Sequence, residues 1–471
     1  MMGVARMVAC LGALLLAPIC LNTAVAATPD AAAKADLVQR GRYLATAGDC
    51  VGCHTAPGGK PFAGGLPLAT PFGAIIGTNV TPSKTHGIGN YTLTQFADAV
   101  RKGIRADGAY LYPAMPYAAY SIINDSDMLA LYTYFMSAVA PVDAAAPRTN
   151  LAFPFNIRLS MAVWNWLFLK ARTFESDPAK SVAWNRGAYL VLGLGHCGDC
   201  HTPRNLLMGQ EQSRDLAGTA VGPWYAPNIT SDANSGIGSW SERELVDYMR
   251  TGQIAKAQAG GPMTEVIDNS LRHLTDADLQ ATAVYLKTVP AIHDPADTRP
   301  VTEWGSASDE LSSIRGVALP SDPDQMTGAQ LYDAYCATCH QDQGQGSFDG
   351  GLPRLFHTAA LGRTNTNNMI MVTLSGIGRH SEVLMPPFGK ELSDHQIATL
   401  GAYLVRHFGN PKAVVTVEQV KTLRTNGPGS WLIVAARVAL GVVAVLIVGG
   451  LLVLVFWFRR RTPGNKAQAA H

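Results

Sequence analysis

The chain has 471 residues, of which 47% are hydrophobic and 15% charged, with a formal net charge of +2. That length calls for several domains rather than one. The near-neutral balance, with no long Lys/Arg run, gives nucleic acid no electrostatic footing.

The chain opens like an export signal. Arg6 supplies a positive n-region, Met7 to Ile19 a short apolar core, and "AVAA" at residues 24–27 a small-residue cleavage site. The expectation is a cleaved signal over residues 1–27. Removing it takes away Cys10 and Cys20 of the eight cysteines. The remaining six fall into three copies of one pattern: "GDCVGCHT" at residues 48–55, "GHCGDCHT" at 195–202 and "AYCATCHQ" at 334–341. None is left over for a structural disulfide.

The expected elements repeat with the motif. Helix-compatible segments precede each copy at residues 37–46, 185–194 and 327–334. Helices follow at 124–135, 275–286 and 393–404, opening on the N-caps Asn124, Thr275 and Ser393. "RGRYLATAGDCVGCHT" (40–55) aligns with "RGAYLVLGLGHCGDCHT" (186–202), which carries one extra residue. "TNVT" and then "GIG" after the first motif return as "PNIT" and "GIG" after the second, so copies one and two read as a duplication. Copy three is shorter. Strand signals are scarce, and Gly/Pro-rich loops join the helices.

The expected fold class is mainly α: three tandem small helical domains, one per cysteine motif, plus one C-terminal transmembrane helix. The expected domains are 28–145, 181–295 and 321–412. Linkers are expected at 146–180, 296–320 and 413–430. Within the first linker, "LSMAVWNWLFLKAR" (159–172) has too short an apolar core to span a bilayer. It reads as an inter-domain packing helix. The alternative is an interfacial segment, with Trp164 and Trp166 at the outer leaflet boundary. Val438 to Phe458 is 21 residues without a charge, about 31 Å of helix against a hydrocarbon core of about 30 Å. The anchor is therefore expected over residues 431–458. Arg459, Arg460 and Arg461 follow it and put residues 459–471 in the cytoplasm and the motif-bearing body in the periplasm.

Cys-x-x-Cys-His is the attachment pattern of c-type haem. Two thiols one helical turn apart reach the two vinyl groups of one porphyrin, and the adjacent histidine lies under the iron. A thioredoxin-like pair needs a βαβ context, and a four-ligand zinc site needs a second Cys/His pair; neither is visible. Three covalent haems are expected, on Cys50 and Cys53, Cys197 and Cys200, and Cys336 and Cys339. The proximal iron ligands are His54, His201 and His340. A methionine in a Pro-rich turn is the candidate sixth ligand of each: Met115, Met263 and Met385, lying 61, 62 and 45 residues after the respective histidine. Met128, Met136, Met249, Met369 and Met371 lie in helix-like segments and read as core filling. His/Met ligation closes both axial positions and points to one-electron transfer, with no catalytic residue. A multihaem peroxidase would need an open site, against which three methionines argue.

At these residues the chain resembles the membrane-bound three-haem cytochrome c subunits of bacterial periplasmic dehydrogenases. The motifs "GDCVGCHTAPGGKPFAGG", "LYPAMPY", "GHCGDCHTPRN", "WYAPNITSD" and "MPPF" carry the likeness, which spans roughly residues 36–412. It implies a separate catalytic subunit of quinoprotein, flavoprotein or molybdopterin type, acting on alcohol, sugar-acid or aldehyde donors. It also implies ubiquinone as electron acceptor and residence at the inner membrane. The competing reading is a cytochrome c subunit that feeds a terminal oxidase.

Overall fold

A computed structural model of the chain describes residues 29–379, 382–425 and 431–461. The expected signal, most of the C-terminal tail and His380 lie outside the described residues.

Three stretches are built on one plan. The first comprises α1 (Pro29–Ala47), α2 (Cys50–His54), the hairpin β1 (Pro67–Thr70) and β2 (Gly73–Ile76), α3 (Leu93–Lys102), α4 (Tyr117–Tyr120) and α5 (Asp125–Ser137). A connecting helix, α6 (Ser160–Phe168), follows. The second stretch comprises α7 (Val182–Tyr189), α8 (Gly198–His201), β3 (Thr219–Val221), β4 (Trp224–Ala226), α9 (Glu242–Thr251), β5 (Gln253–Ile254), β6 (Ala257–Gln258), α10 (Pro262–Asn269) and α11 (Asp276–Leu286). The third comprises α12 (Gly328–Tyr335), α13 (Ala337–His340), α14 (Ala359–Gly362), α15 (Asn367–Ser375), β7 (Ile377–Arg379), β8 (Glu382–Met385), α16 (Asp394–Phe408) and α17 (Val417–Arg424). The described strands form four two-stranded antiparallel hairpins and no larger sheet.

In each stretch the helix before the motif crosses the closing helix: α1 on α5, α7 on α11, α12 on α16. Glycine permits the crossing. A Cβ on Gly41 would stand 2.0 Å from the Ala130 carbonyl oxygen, one on Gly187 2.0 Å from that of Ala281, and one on Gly328 2.4 Å from Tyr403 Cβ. The closing helices start where their caps require. Asn124, Thr275 and Ser393 accept from the amides of Asp127, Asp278 and Gln396 at 2.9, 3.2 and 3.1 Å. The extra residue of the second copy is absorbed in a π-turn, Leu190–Leu194, inserted between α7 and the motif.

One apolar core runs continuously through the first two stretches, and a second core belongs to the third. The first two are also clasped reciprocally. Arg40 binds Asp127, which also accepts from Tyr189 at 2.7 Å. Arg186 binds Asp278 at 2.8 and 2.7 Å, and Asp278 accepts from Tyr43 at 2.5 Å. Each tyrosine belongs to the other copy, so the duplicated units meet across an approximate two-fold relation.

The connecting segments are more ordered than their composition suggests. In residues 296–320 the buried Val301, Trp304 and Leu311 pack down, and the Val301 amide donates to the Asn234 carbonyl at 3.1 Å. Residues 413–430, expected as a linker, contain α17, because Val420 and Leu423 are apolar at i and i+3 and insert into the third core. Arg424 fastens α17 through Asp394 and the carbonyls of Gly389 and Leu392.

The last described helix, α18 (Trp431–Arg461), contains a 27-residue stretch, Leu432–Phe458, long and apolar enough to cross a membrane, and from Val438 to Phe458 it is exposed. Near its start Arg437 donates from Nε to the Phe153 carbonyl at 3.1 Å.

Candidate haem-binding sites

The three motif histidines are held by the same device. His54 Nδ1 lies 2.7 Å from the Thr78 carbonyl oxygen, His201 Nδ1 2.6 Å from that of Pro227, and His340 Nδ1 2.8 Å from that of Pro353. A carbonyl accepts only, so Nδ1 carries the proton and donates. Nε2 is left with a free lone pair, the tautomer a metal ligand needs. Burial pushes all three imidazoles below the usual histidine range and so favours the neutral ring, partly countered by that hydrogen bond, which favours the protonated one.

The carbonyls are themselves braced. After each histidine the chain returns through a glycine with positive φ whose amide donates to the histidine's own carbonyl: Gly64 to His54 at 2.7 Å, Gly218 to His201 at 2.7 Å, Gly346 to His340 at 3.0 Å. A Cβ on these glycines would stand 2.6 Å from Asn79 N, 2.6 Å from Asn228 N or 2.7 Å from Pro353 C, within the peptide units that present the carbonyls. In the duplicated copies an asparagine completes the brace. The Asn79 amide donates to Val142 O and Ala144 O, and that of Asn228 to Ile292 O; each side-chain oxygen accepts from the threonine two residues on. Sequence reasoning saw "TNVT" and "PNIT" as a repeat but gave them no role. The third copy lacks the asparagine and uses Leu-Pro-Arg.

The six cysteines stand in or at the ends of the one-turn helices α2, α8 and α13. Burial, with smaller contributions from neighbouring acids and thiols, pushes Cys50, Cys53, Cys197 and Cys336 up to about 12. A redox-active dithiol needs the opposite shift. Thioether formation does not leave a thiolate to be stabilised.

The methionines occupy three local structures. Met115 sits in the turn between β-bridge residue Tyr110 and α4. Met263 lies in the first turn of α10, not in a free turn, because Pro262 starts the helix after Gly261. Met385 ends β8, opposite Ile377, ahead of Pro386 and Pro387. Met128, Met249, Met369 and Met371 are buried in the two cores, as core-filling residues should be. The remaining described histidines have ordinary company: His273 Nε2 meets the Asp268 carbonyl at 2.9 Å, His293 meets Asp232 at 3.3 Å, and the His407 ring lies against that of Tyr403 at 4.3 Å.

The first two motifs approach each other. Tyr120 donates to the Gly48 carbonyl at 2.7 Å, just before Cys50, and its ring meets His196, just before Cys197, edge-on at 5.6 Å. Ser270 donates to the Ala47 carbonyl at 3.3 Å, and α10 packs on α2.

Over 448 residues the chain is 44% identical to the fructose dehydrogenase cytochrome subunit of Gluconobacter japonicus, covering 90% of this chain and 92% of that one. The chain belongs to the family of dehydrogenase cytochrome c subunits. Identity to the gluconate 2-dehydrogenase cytochrome c subunit of Pantoea cypripedii is 39% over 87% of this chain and 94% of the relative. For the cytochrome c subunit of the quinone-dependent alcohol dehydrogenase of Gluconacetobacter polyoxogenes it is 37%, over 86% and 87%. Residues 323–404 of this cytochrome subunit match the family described as cytochrome c oxidase, cbb3-type, subunit III. A cytochrome c domain carries covalent haem c, and a cytochrome subunit transfers electrons rather than transforming substrate itself. The residues fit that group: besides the histidines with free Nε2, the buried Arg354 Nε, next to the Pro353 that holds His340, has no acceptor among the described residues. A haem propionate is an acceptor of the right charge.

Proposed function

We propose that this cytochrome subunit is a three-haem, one-electron relay of a membrane-bound dehydrogenase, taking electrons from a catalytic partner and passing them to ubiquinone. The observation that carries the reading is the threefold imidazole–carbonyl hydrogen bond, made at 2.7, 2.6 and 2.8 Å behind three separate Cys-x-x-Cys-His motifs. Each of the three tandem helical domains holds one haem through its cysteine pair. His54, His201 and His340 would hold each iron through Nε2, and Met115, Met263 and Met385 would supply a thioether as the second ligand. Bound haem c supplies ferric–ferrous exchange. The chain's part is to fix the histidine tautomer, close the sixth position and keep water from the iron. The facing of the first two motifs across Tyr120 supports transfer between those two sites.

The signal over residues 1–27 is cleaved, the domains lie in the periplasm, and α18 anchors them in the inner membrane with Arg460 on the cytoplasmic side. The catalytic partner is a quinoprotein, flavoprotein or molybdopterin enzyme. The named relatives, serving fructose, gluconate and alcohol dehydrogenases, point to a sugar, sugar-acid or alcohol donor. A second reading, an oxidase-feeding subunit, has the match of residues 323–404 in its favour, but that match ends with the third domain.

Intact-mass measurement of the exported chain should show three haem increments and no free thiol. Reconstituted with its dehydrogenase, it should reduce a soluble ubiquinone analogue with substrate present. Two increments would overturn the haem count. Electron delivery to an oxidase but not to the quinone would favour the second reading.

A further inference from the structure

Helix α6 has two unlike faces. Its inner face joins the first two units. Asn165 accepts from Tyr117 at 2.8 Å and donates to the Lys102 carbonyl at 3.1 Å, Trp164 donates to the Leu207 carbonyl at 3.0 Å, and Phe168 lies where a Cβ on Gly209 would clash. Its outer face is Leu159, Val163, Trp166 and Leu167, at i, i+4, i+7 and i+8, exposed by 72, 59, 83 and 45%. Leu206 and Leu207, whose loop is tied to α6 through Trp164, are exposed by 72 and 60%, and Phe153 and Ile157 just before α6 in the chain are exposed too. Single exposed apolar residues need no explanation, but a continuous set on one face does.

Three observations say what covers it. Arg437 is the last charge before the uncharged run of α18, and it donates to the carbonyl of Phe153, at the edge of this patch. The outer boundary of the bilayer and the patch therefore stand at one level. Next, residues 144–174 contain no Asp or Glu but do contain Arg148, Arg158, Lys170 and Arg172, a charge pattern suited to anionic headgroups. Finally, nine residues of helix span only about 13 Å, long enough to lie in the interface and too short to cross. We infer that the outer face of α6, with Leu206 and Leu207, is a second membrane contact, lying in the outer headgroup–acyl boundary of the bilayer that α18 crosses. With α18 it makes a two-point attachment, so the relay is held at a fixed tilt on the membrane rather than swinging on one tether.

The inference rests on the anchored, haem-loaded reading of the chain, and the test keeps the two apart. Haem attachment consumes the six motif cysteines and signal cleavage removes Cys10 and Cys20, so in the mature chain a cysteine introduced at position 166 (Trp166→Cys) or 163 (Val163→Cys) is the one thiol open to a nitroxide. Label taken up by the parent chain would count against haem attachment, not against the surface. The full-length protein is placed in vesicles of phosphatidylethanolamine and phosphatidylglycerol. Relaxation of the label by oxygen, which concentrates in lipid, is compared with relaxation by a water-soluble nickel chelate. Leu446→Cys serves as the mid-bilayer reference and the 88% exposed Val182→Cys as the aqueous one. The oxygen-to-nickel ratio at 166 and 163 should exceed that at 182 several-fold and fall below that at 446. Ratios equal to that at 182 overturn the proposal. So does a label open to nickel in vesicles and shielded only when the catalytic subunit or a second copy is added, since the patch is then a protein interface.

Discussion

A single glycine decides how each motif histidine is aimed. Gly218 has φ of 88° and stands against Asn228, so Gly218→Ala adds both left-handed strain and a clash with the peptide that holds His201. Left-handed strain alone costs about 1–2 kcal/mol, and relief comes by moving the Pro227 carbonyl away from Nδ1. The expected result is a shifted potential and weakened Soret band for one haem of three, with Gly222→Ala, also at positive φ but with open space around it, as the strain-only control. Met263→Ala tests the opposite axial side. Losing the thioether should lower one potential and leave two in place in a redox titration, because thioether ligation favours ferrous iron. If all three potentials hold, the sixth ligand has been misassigned. Much of this scale was legible in advance: the cysteines, histidines and their spacing are local patterns. The bracing carbonyls were not, because a carbonyl is common to all residues and only the return of the loop brings Thr78, Pro227 and Pro353 behind the rings.

Helices meet where side chains are missing or charges are clasped. Gly187→Val in α7 would drive its side chain into the Ala281 backbone, and overpacking of this kind costs about 1–3 kcal/mol. A fall in the unfolding temperature of the first two units, with the third little changed, is the expected calorimetric result, since the third has its own core. The Asp278 clasp makes a pH prediction. Burial alone would raise this carboxyl, but the hydrogen bonds from Arg186 and Tyr43 hold it below the usual 3.8. A depressed carboxyl contributes stability in full above its unfolded value and loses it as pH falls through the folded one. Asp278→Asn should therefore cost about 1–2 kcal/mol at neutral pH, the figure for a hydrogen-bonded ion discounted for the part-exposed Arg186. Its difference from the parent should shrink below about pH 4. Helix starts were readable here, as Ser, Thr and Asn caps act on amides two or three residues away. The π-turn was half readable: one extra residue was plain in the alignment, its accommodation as a widened turn was not.

For the whole molecule the decisive feature is how three like units are joined and moored. Cutting the chain after residue 430 should release a cytochrome from the α18 anchor, and the fraction staying on vesicles after a salt wash measures what α6 contributes; complete release even at low salt would leave α18 as the sole attachment. Composition misled at this scale in one respect. The Pro- and Ser-rich stretch 296–320 and the segment 413–430 read as linkers, yet Val301, Trp304, Leu311, Val420 and Leu423 are buried. In 296–320 a few apolar residues scattered among turn formers carry no period, and in 413–430 two apolar residues one turn apart are too few to mark a helix; only the packing of the folded chain buries them.

What the sequence by itself determined is whatever depends on near neighbours along the chain: the haem motif and its three copies, the caps, the uncharged run of α18 and the duplication. Covalent attachment and capping act over a turn or less, so spacing is enough to specify them. What the tertiary structure decided depends on partners far apart in the chain. The Tyr43–Asp278 and Tyr189–Asp127 pairs, 235 and 62 residues apart, turn a duplication into a reciprocal clasp. The contact of Arg437 with Phe153, 284 residues away, sets the apolar face of α6 beside the anchor. No local rule anticipates such pairs, because each joins residues of different elements that only the packing of the whole chain brings together.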